Sequence, residues 1–546
     1  MKGLPNSPFL TDDFSLKGGG IDFLGLRWVG LTIVGRDLVP EINNVTSDMG
    51  TFFLGAWIPW KFRQLCSGSK AYTEKNYKAF REKVEVALSL TLREECGLSR
   101  TDGLVRNRIG ITQQSSLPAK LSFKGAKRTV KNSLFAAAIY GPSLRALGFI
   151  KTYHSQARDG RESLDIPIPG DDDDVVQIVE GVDRSLKGTT SFQLLGSLDF
   201  PVFDWQNIRK LGERGLDPAR YRGSEFKALK AHFRRRLLPK DSDDPGYFRT
   251  LTTRLILATV DHRSGLSSPE IRRIWFTGRF GDGRQLRLKE SELLGQQQRW
   301  SCFLARQHQR YAIELFLWCF EDALKMGMRS VDDIVANWID RSARAGSKLD
   351  GSFRKTLKDC AGSMWSSDDA TTSLAWNKEV HGEHDQFEYV DEPQNEEAIS
   401  HGLRMLAGWF WRMLSRQGDP KTKELMDLGG SDRMSMSWFL NWLSERRDLP
   451  IREFLKDIFS DLIFAQHMRI ALARFDGSAQ RLRFLLGDSG IEPTISARAD
   501  LGELGLPWMP DRLDTLVGLL CDCDVLEREE DGVLKLGPRA PEILVE

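Results

Sequence analysis

The sequence predicts a mainly α-helical protein: a multi-subdomain helical body with a small C-terminal α+β, winged-helix-like domain. Apolar residues recur at three- and four-residue spacing through most of the chain. At 546 residues the chain is too long for a single core, so roughly two to four domains or subdomains are expected. Strand-like patterning bounded by turn residues is concentrated after residue 480. Composition divides the chain into a polar lead-in (1–20), an N-terminal helical domain (21–165) and a second helical domain (166–345). A polar loop or insertion (346–397), C-terminal helices (398–475) and a hairpin plus winged-helix-like domain (476–546) follow.

The most apolar stretch is 21–66, which reads as two helices broken by a short turn. In the first, Leu24, Trp28, Leu31 and Leu38 recur at helical spacing, with Val29, Ile33 and Val34 widening the stripe. Asp22 suits an N-cap and Pro40 a stop. In the second, Thr46 or Ser47 can cap, and Met49, Phe52, Phe53, Ala56, Trp57 and Trp60 make the apolar face. Pro59 lacks an N–H and crowds the Gly55 carbonyl, so a kink is expected there. This pair is expected to form a floor for the helices that follow.

A helix over 73–96 presents Tyr77, Phe80, Val84, Leu88 and Thr91, and Gly97 ends it. Residues 98–132 are polar and basic, and 134–150 give two short helices around Gly141-Pro142. The polar tract 151–190, with four acids at Asp171–Asp174, reads as a surface loop or subdomain boundary. Ser224 can cap a helix carrying Phe226, Leu229, Phe233 and Leu237. A helix at 251–260 follows, then the best-patterned one at 297–326, with Trp300, Leu304, Tyr311, Leu315 and Trp318 aligned and Gly327 as stop. Further helices are expected at 398–416, 434–446 and 451–474, and a strand pair around Asp488-Ser489-Gly490. Finally, a helix from Pro510 to Cys521 is followed at once by strands joined at Asp531-Gly532, an arrangement similar to the end of a winged-helix domain.

Charge limits what that end does. Between Met509 and Leu536 there are eight acids (Asp511, Asp514, Asp522, Asp524, Glu527, Glu529, Glu530, Asp531) and three bases (Arg512, Arg528, Lys535), a net −5. Phosphates demand cations, so docking of a protein through Asp511, Asp514, Glu527, Glu529 and Glu530 is favoured over DNA contact. Nucleic-acid contact is expected instead at Lys120, Lys124, Lys127, Arg128 and Lys131, or at Arg234, Arg235, Arg236 and Lys240. These basic groups also suit solvated faces and helix-end cations that complement the macrodipole, the more common use.

The whole chain balances 77 basic against 76 acidic residues, which argues against a polyelectrolyte surface. Seven scattered cysteines point to a reducing compartment, and Cys521 and Cys523 alone make no zinc site. The N-terminus lacks an apolar h-region, and apolar runs break within about ten residues, short of the ~20 a membrane span needs. A cytoplasmic chain with no membrane partner is expected. P-loop, nucleophile-elbow and kinase signatures are missing, so no catalytic residue and no cofactor are assigned. His381, Glu383, His384 and Asp385 lie close enough in sequence to bind a divalent ion, but their acidic surroundings fit a solvated tract better. His308 and His467 lie in partly apolar helices and read as structural.

Several stretches resemble large helical proteins encoded in bacterial antiphage defence islands. They are LGLRWVG and LVPEINNVTSDMGTFFLGAWIPWKF near the start, YGPSLRALGFI (140–150), RWSCFLARQHQRYAIELFLW (299–318) and the 467–492 passage, with the winged-helix-like end. The resemblance implies an accessory subunit beside an ATPase, helicase or nuclease. Ser47-Asp48-Met49-Gly50 stands where similar sequences carry a basic and aromatic run, which weakens a nucleic-acid role for that segment. The expectation is a non-enzymatic scaffold or sensor subunit that docks a partner and touches DNA or RNA through a basic face. The alternatives are a metal-dependent nuclease with a dispersed acidic site and a kleisin-like linker of an SMC-type ATPase.

Overall fold

The structure, a computed structural model, describes residues 22–44, 46, 48–66, 71–85, 87, 120–122, 140–156, 163–187, 195–198, 202–204, 226–346, 349–356, 397–414, 420–474, 482–494, 497 and 509–544. Helix α1 (Arg27–Ile33) runs into a π-helical turn (Val34–Leu38), followed by α2 (Met49–Cys66) and α3 (residues 74–85). Strand β1 (Lys120–Ser122), helix α4 (Gly141–Ala146) and strands β2 (Ile150–Gln156) and β3 (Ser163–Pro169) precede α5 (Asp173–Lys187) and β4 (Val202–Asp204). Then come α6 (Lys227–Leu237), α7 (Tyr247–His262), α8 (Ser268–Thr277), α9 (Ser291–Lys325) and α10 (Val331–Arg344). Helices α11 (Ala398–Leu414), α12 (Pro420–Asp427), α13 (Met436–Arg446), α14 (Ile451–Asp457), a π segment (Ile458–Ala465) and α15 (Gln466–Ala473) lead to β5 (Phe484–Gly487) and β6 (Gly490–Pro493). Last are α16 (Leu513–Asp522), β7 (Leu526–Arg528), β8 (Leu534–Leu536) and α17 (Pro541–Leu544). The fold is mainly α, and among the described residues the sheets are antiparallel strand pairs, β1–β4, β2–β3, β5–β6 and β7–β8.

Two compact units emerge, each built from segments distant in sequence. Among the described residues, one takes 39–268 and 511–544 and the other takes 22–38 and 269–510. The compositional bounds at 165/166, 345/346 and 475/476 fall inside these units. Composition marks where the chain is polar, whereas a compact unit depends on which segments return to each other. The expected two-helix floor is likewise divided, with α1 in the second unit and α2 in the first.

In the first unit α2 is buried on all sides from Met49 to Pro59, as its apolar composition requires, and exposes Arg63 and Gln64 in its last turn. Phe52 meets Tyr140, Phe149 and Phe233 with ring centroids 5.4–5.6 Å apart, and the helix continues past Pro59 to Cys66. Where it is described, the tract 151–190 is not a loop. Residues 150–156 pair in register with 163–169, and α5 follows with Val175, Ile178, Val179, Val182 and Leu186 buried. Its periodicity was hidden by a polar outer face, and Asp173 and Asp174 lie in its first turn, where acids complement the macrodipole. Beneath it, Asp183 accepts bonds from Trp57 Nε1 (3.2 Å) and Lys61 Nζ (2.9 Å).

The second unit is organised around α9, 35 residues long and buried along most of its length. Its buried polar side chains have specific work. Gln296 donates to the Asp37 carbonyl (2.9 Å), Ser301 to Phe276 (2.9 Å) and Gln307 to Met509 (3.2 Å). Arg306 donates to the carbonyls of Leu26, Arg433 and Met434. These acceptors lie at turns and element ends, and α9 donates to them from the core. Helix α11 packs closely because Gly402 faces Phe316: a Cβ at 402 would lie 2.9 Å from the Phe316 ring.

Helix α1 corrects the expected stripe. Leu24, Leu26, Val29, Ile33 and Leu38 are buried, but Trp28 (37%) and Leu31 (49%) are exposed. The buried face is centred on Gly30, where a Cβ would meet Met509 Cε at 2.1 Å. Counting large side chains overlooks a face defined by a missing one.

Candidate docking surface

The C-terminal helix and hairpin form as expected, and the rest of their unit holds them in place. Leu513, Leu516, Val517 and Leu520 of α16 are buried with Leu526 and Leu534 of the hairpin. Leu266, in the turn between α7 and α8, bridges Leu534, with Leu534 N–H donating to the Leu266 carbonyl (2.9 Å) and Gly265 N–H to the Leu534 carbonyl (3.1 Å). Residue 266 thus extends the β7–β8 pair. The Met49 N–H at the start of α2 donates to Asp522 Oδ2 (3.0 Å), and Arg512 donates to the Val39 carbonyl (3.0 Å).

The candidate docking acids separate by burial. Asp511 is buried and accepts from Leu513 N–H (3.0 Å), so it serves the start of α16 and offers nothing to a partner. Asp514 is exposed on the first turn of the same helix. Glu527, Glu529, Glu530 and Asp531 are exposed on the hairpin. Glu529 pairs with Lys535, and that bond raises the lysine pKa. Asp531 accepts from Val533 N–H (3.2 Å) and so shapes the turn.

The basic triplet on the last turn of α6 is engaged within the fold. Arg234 Nη2 contacts Glu542 Oε2 at 2.7 Å. Arg235 forks onto Asp174, Nη2 at 2.5 Å and Nε at 3.2 Å, and His232 contacts the same carboxylate. Arg236 pairs with Asp172 and donates to the Leu147 carbonyl (2.9 Å). Partial burial alone would raise the Asp174 pKa; the bonds from Arg235 and His232 outweigh it and hold the carboxyl below its ordinary value. The run of acids at 171–174, expected in a surface loop or at a subdomain boundary, supplies two of the partners the triplet needs. Lys240 is exposed just beyond the helix.

Lys120 lies in β1 opposite Asp204. Lys124, Lys127, Arg128 and Lys131 lie outside the described residues, as do His381, Glu383, His384 and Asp385. Among the described residues, no three His, Cys, Asp or Glu side chains gather where they could hold a metal ion. His308 stacks on Phe276 (4.7 Å) with Nδ1 2.8 Å from the Leu304 carbonyl, and His467 bonds to backbone at both ring nitrogens. The described cysteines Cys66, Cys302, Cys319, Cys521 and Cys523 form no disulfides. Burial pushes the Cys319 and Cys523 thiols well above their ordinary pKa, the opposite of an activated nucleophile. No described helix is long and apolar enough to cross a membrane.

No family model, curated protein or solved structure matches the chain.

Proposed function

We propose that this chain is a non-enzymatic scaffold or sensor subunit that docks a partner protein through its acidic C-terminal hairpin. The observation that carries this reading is the contrast between the two faces of the hairpin: Leu526 and Leu534 are buried and Leu534 is bridged by Leu266, while Glu527, Glu529, Glu530 and Asp531 face solvent. Such a tip suits a basic protein surface, where charge complementarity speeds encounter and sets register. The setting proposed is a bacterial antiphage defence complex, in the cytoplasm, with an ATPase, helicase or nuclease as partner. This rests on the sequence resemblance.

The test is a pulldown from the native host with an N-terminal tag, read by mass spectrometry with and without nuclease treatment. A nuclease-resistant partner bearing an ATPase, helicase or nuclease motif is expected. Glu527→Lys with Glu530→Lys is expected to lower its recovery about tenfold or more at physiological salt while leaving thermal unfolding unchanged. Recovery of the same partner by this variant would overturn the docking site. Degradation of bound nucleic acid by the purified chain on adding Mg²⁺ would overturn the non-enzymatic reading.

A further inference from the structure

The second unit carries a basic hairpin that sequence patterning did not single out. After α8, the chain turns at Gly278 (φ +74°) and returns through Gly281-Asp282-Gly283, with Gly283 at φ +88°. Phe280 N–H donates to the Arg284 carbonyl (2.9 Å), Leu286 N–H to the Gly278 carbonyl (2.9 Å), and Arg279 bridges Gln285. Arg279 also donates to the Gly283 carbonyl (3.1 Å), and Thr277 Oγ1 accepts from Arg279 N–H (3.1 Å). Phe280 and Leu286 are buried, which anchors the loop as a preformed element.

Its charges are segregated. Residues 278–289 hold Arg279, Arg284, Arg287 and Lys289 against the single acid Asp282, in a chain whose totals balance at 77 to 76. Asp282 is engaged by Arg284 at 2.9 Å (Nε) and 2.8 Å (Nη2). Along the returning strand Gln285, Arg287 and Lys289 are exposed, while Leu286 is buried and Leu288 half-buried. The exposed amide of Gln285, guanidinium of Arg287 and ammonium of Lys289 thus lie on one short stretch of chain, with the apolar residues between them turned inward. Glu290 and Glu292 follow at the start of α9, where acids complement the helix N-terminus.

We infer that the 278–289 hairpin is a contact surface for the sugar–phosphate backbone of nucleic acid. The cluster of exposed cationic donors suits a polyanion, and guanidinium binds phosphate bidentately. This puts the nucleic-acid face of the sensor reading on the second unit and away from the arginine triplet of α6. It does not depend on the acidic hairpin or its partner, so either can fail without the other.

The experiment is fluorescence anisotropy of the purified full chain against short labelled single-stranded DNA, duplex DNA and RNA over a salt series. Arg287→Gln with Lys289→Gln changes only exposed side chains, and thermal unfolding verifies its fold. The parent chain is expected to bind at least one of the three. In the variant, affinity should fall about tenfold, and the slope of log K against log salt should shrink by about 1.4 for single strands or about 1.8 for duplex. Lys423→Gln, an exposed lysine of α12 outside this surface, is the control and should change neither. Absence of binding by the parent, an unchanged slope in the folded variant, or displacement of labelled nucleic acid by polyglutamate as readily as by unlabelled nucleic acid would each overturn the assignment. The last outcome would mark the face as a dock for an acidic protein.

Discussion

Arg483 and Glu321 show how much a single buried pair controls in the second unit. Arg483 Nε and Nη2 reach the two Glu321 oxygens at 2.8 and 2.6 Å, with side chains 5% and 0% exposed, and the guanidinium lies 4.9 Å from the Phe23 ring centroid. Removing one partner strands a charge away from water. Glu321→Ala should cost about 3–5 kcal/mol in urea unfolding, whereas Glu321→Leu combined with Arg483→Met should lie close to the parent. Equal losses in both would show that packing, and not charge, dominates the site. His467 lies beside this pair: its Nε2 accepts from Arg483 N–H (3.0 Å) and its Nδ1–H donates to the Phe23 carbonyl (3.3 Å). Burial pulls its pKa from 6.5 to about 4, opposed by the bond to Phe23 and reinforced by Arg483. Between those values the unfolded chain binds more protons, so the stability His467 contributes is complete above about pH 6.5 and is lost as the pH falls toward 4. Unfolding free energy should drop by up to about 1.4 kcal/mol per pH unit through that window from this residue alone. His467→Gln should flatten the profile; an identical slope in the variant would refute the assignment. The sequence marked His467 as structural, but its pairing with residues 16 and 444 positions away was invisible there.

At the scale of elements, α9 was the most legible part of the chain, expected over 297–326 and found over Ser291–Lys325. Trp300, Leu304, Tyr311, Leu315 and Trp318 are all buried as their spacing required. The polar residues between them were not legible as core, because a periodic pattern assigns them to solvent. They are buried because they donate to the carbonyls of Leu26 just before α1, of Phe276 in α8 and of the 433–434 turn. Close packing makes a second prediction at this scale. Gly402→Ala gains helix propensity but drives a methyl into Phe316, and should destabilise by about 1–3 kcal/mol, read by chemical denaturation. A stabilised variant would mean that the α9–α11 contact is looser than the 2.9 Å approach implies. In the other unit, Asp522→Ala removes the acceptor for Met49 N–H at the start of α2 and should cost about 1–2 kcal/mol, with Asp522→Asn recovering part of it.

At the scale of the whole molecule, the return of residues 511–544 to the unit holding 39–268 is the principal architectural fact. Leu513, Leu516, Leu520 and Leu534 contribute to that unit's core, and Asp522, Arg512 and Thr515 bond to backbone at 49, 39 and 44. A chain ending at 510 should therefore lose protection throughout 39–268, with proteolytic cleavage there accelerated at least about tenfold. Unchanged protection would show the C-terminal segment to be an appended domain. A docking partner that grips the hairpin would, by the same connections, stabilise α2 and α7, which links partner binding to the core of the unit.

The sequence by itself determined the fold class, the helices with strong apolar periodicity and the C-terminal helix–hairpin, since each depends on side chains a few residues apart. It also determined the acidity of that hairpin, because charge is a property of composition. Only the tertiary structure decided which cations remain exposed. Arg234, Arg235 and Arg236 read as a basic patch until Glu542, Asp174 and Asp172 are brought beside them, while 278–289 becomes a basic face only once Leu286 is buried and Arg287 and Lys289 are turned outward. Charge neutralisation acts through space over a few ångströms, and the partners here are separated along the chain by as many as 308 residues.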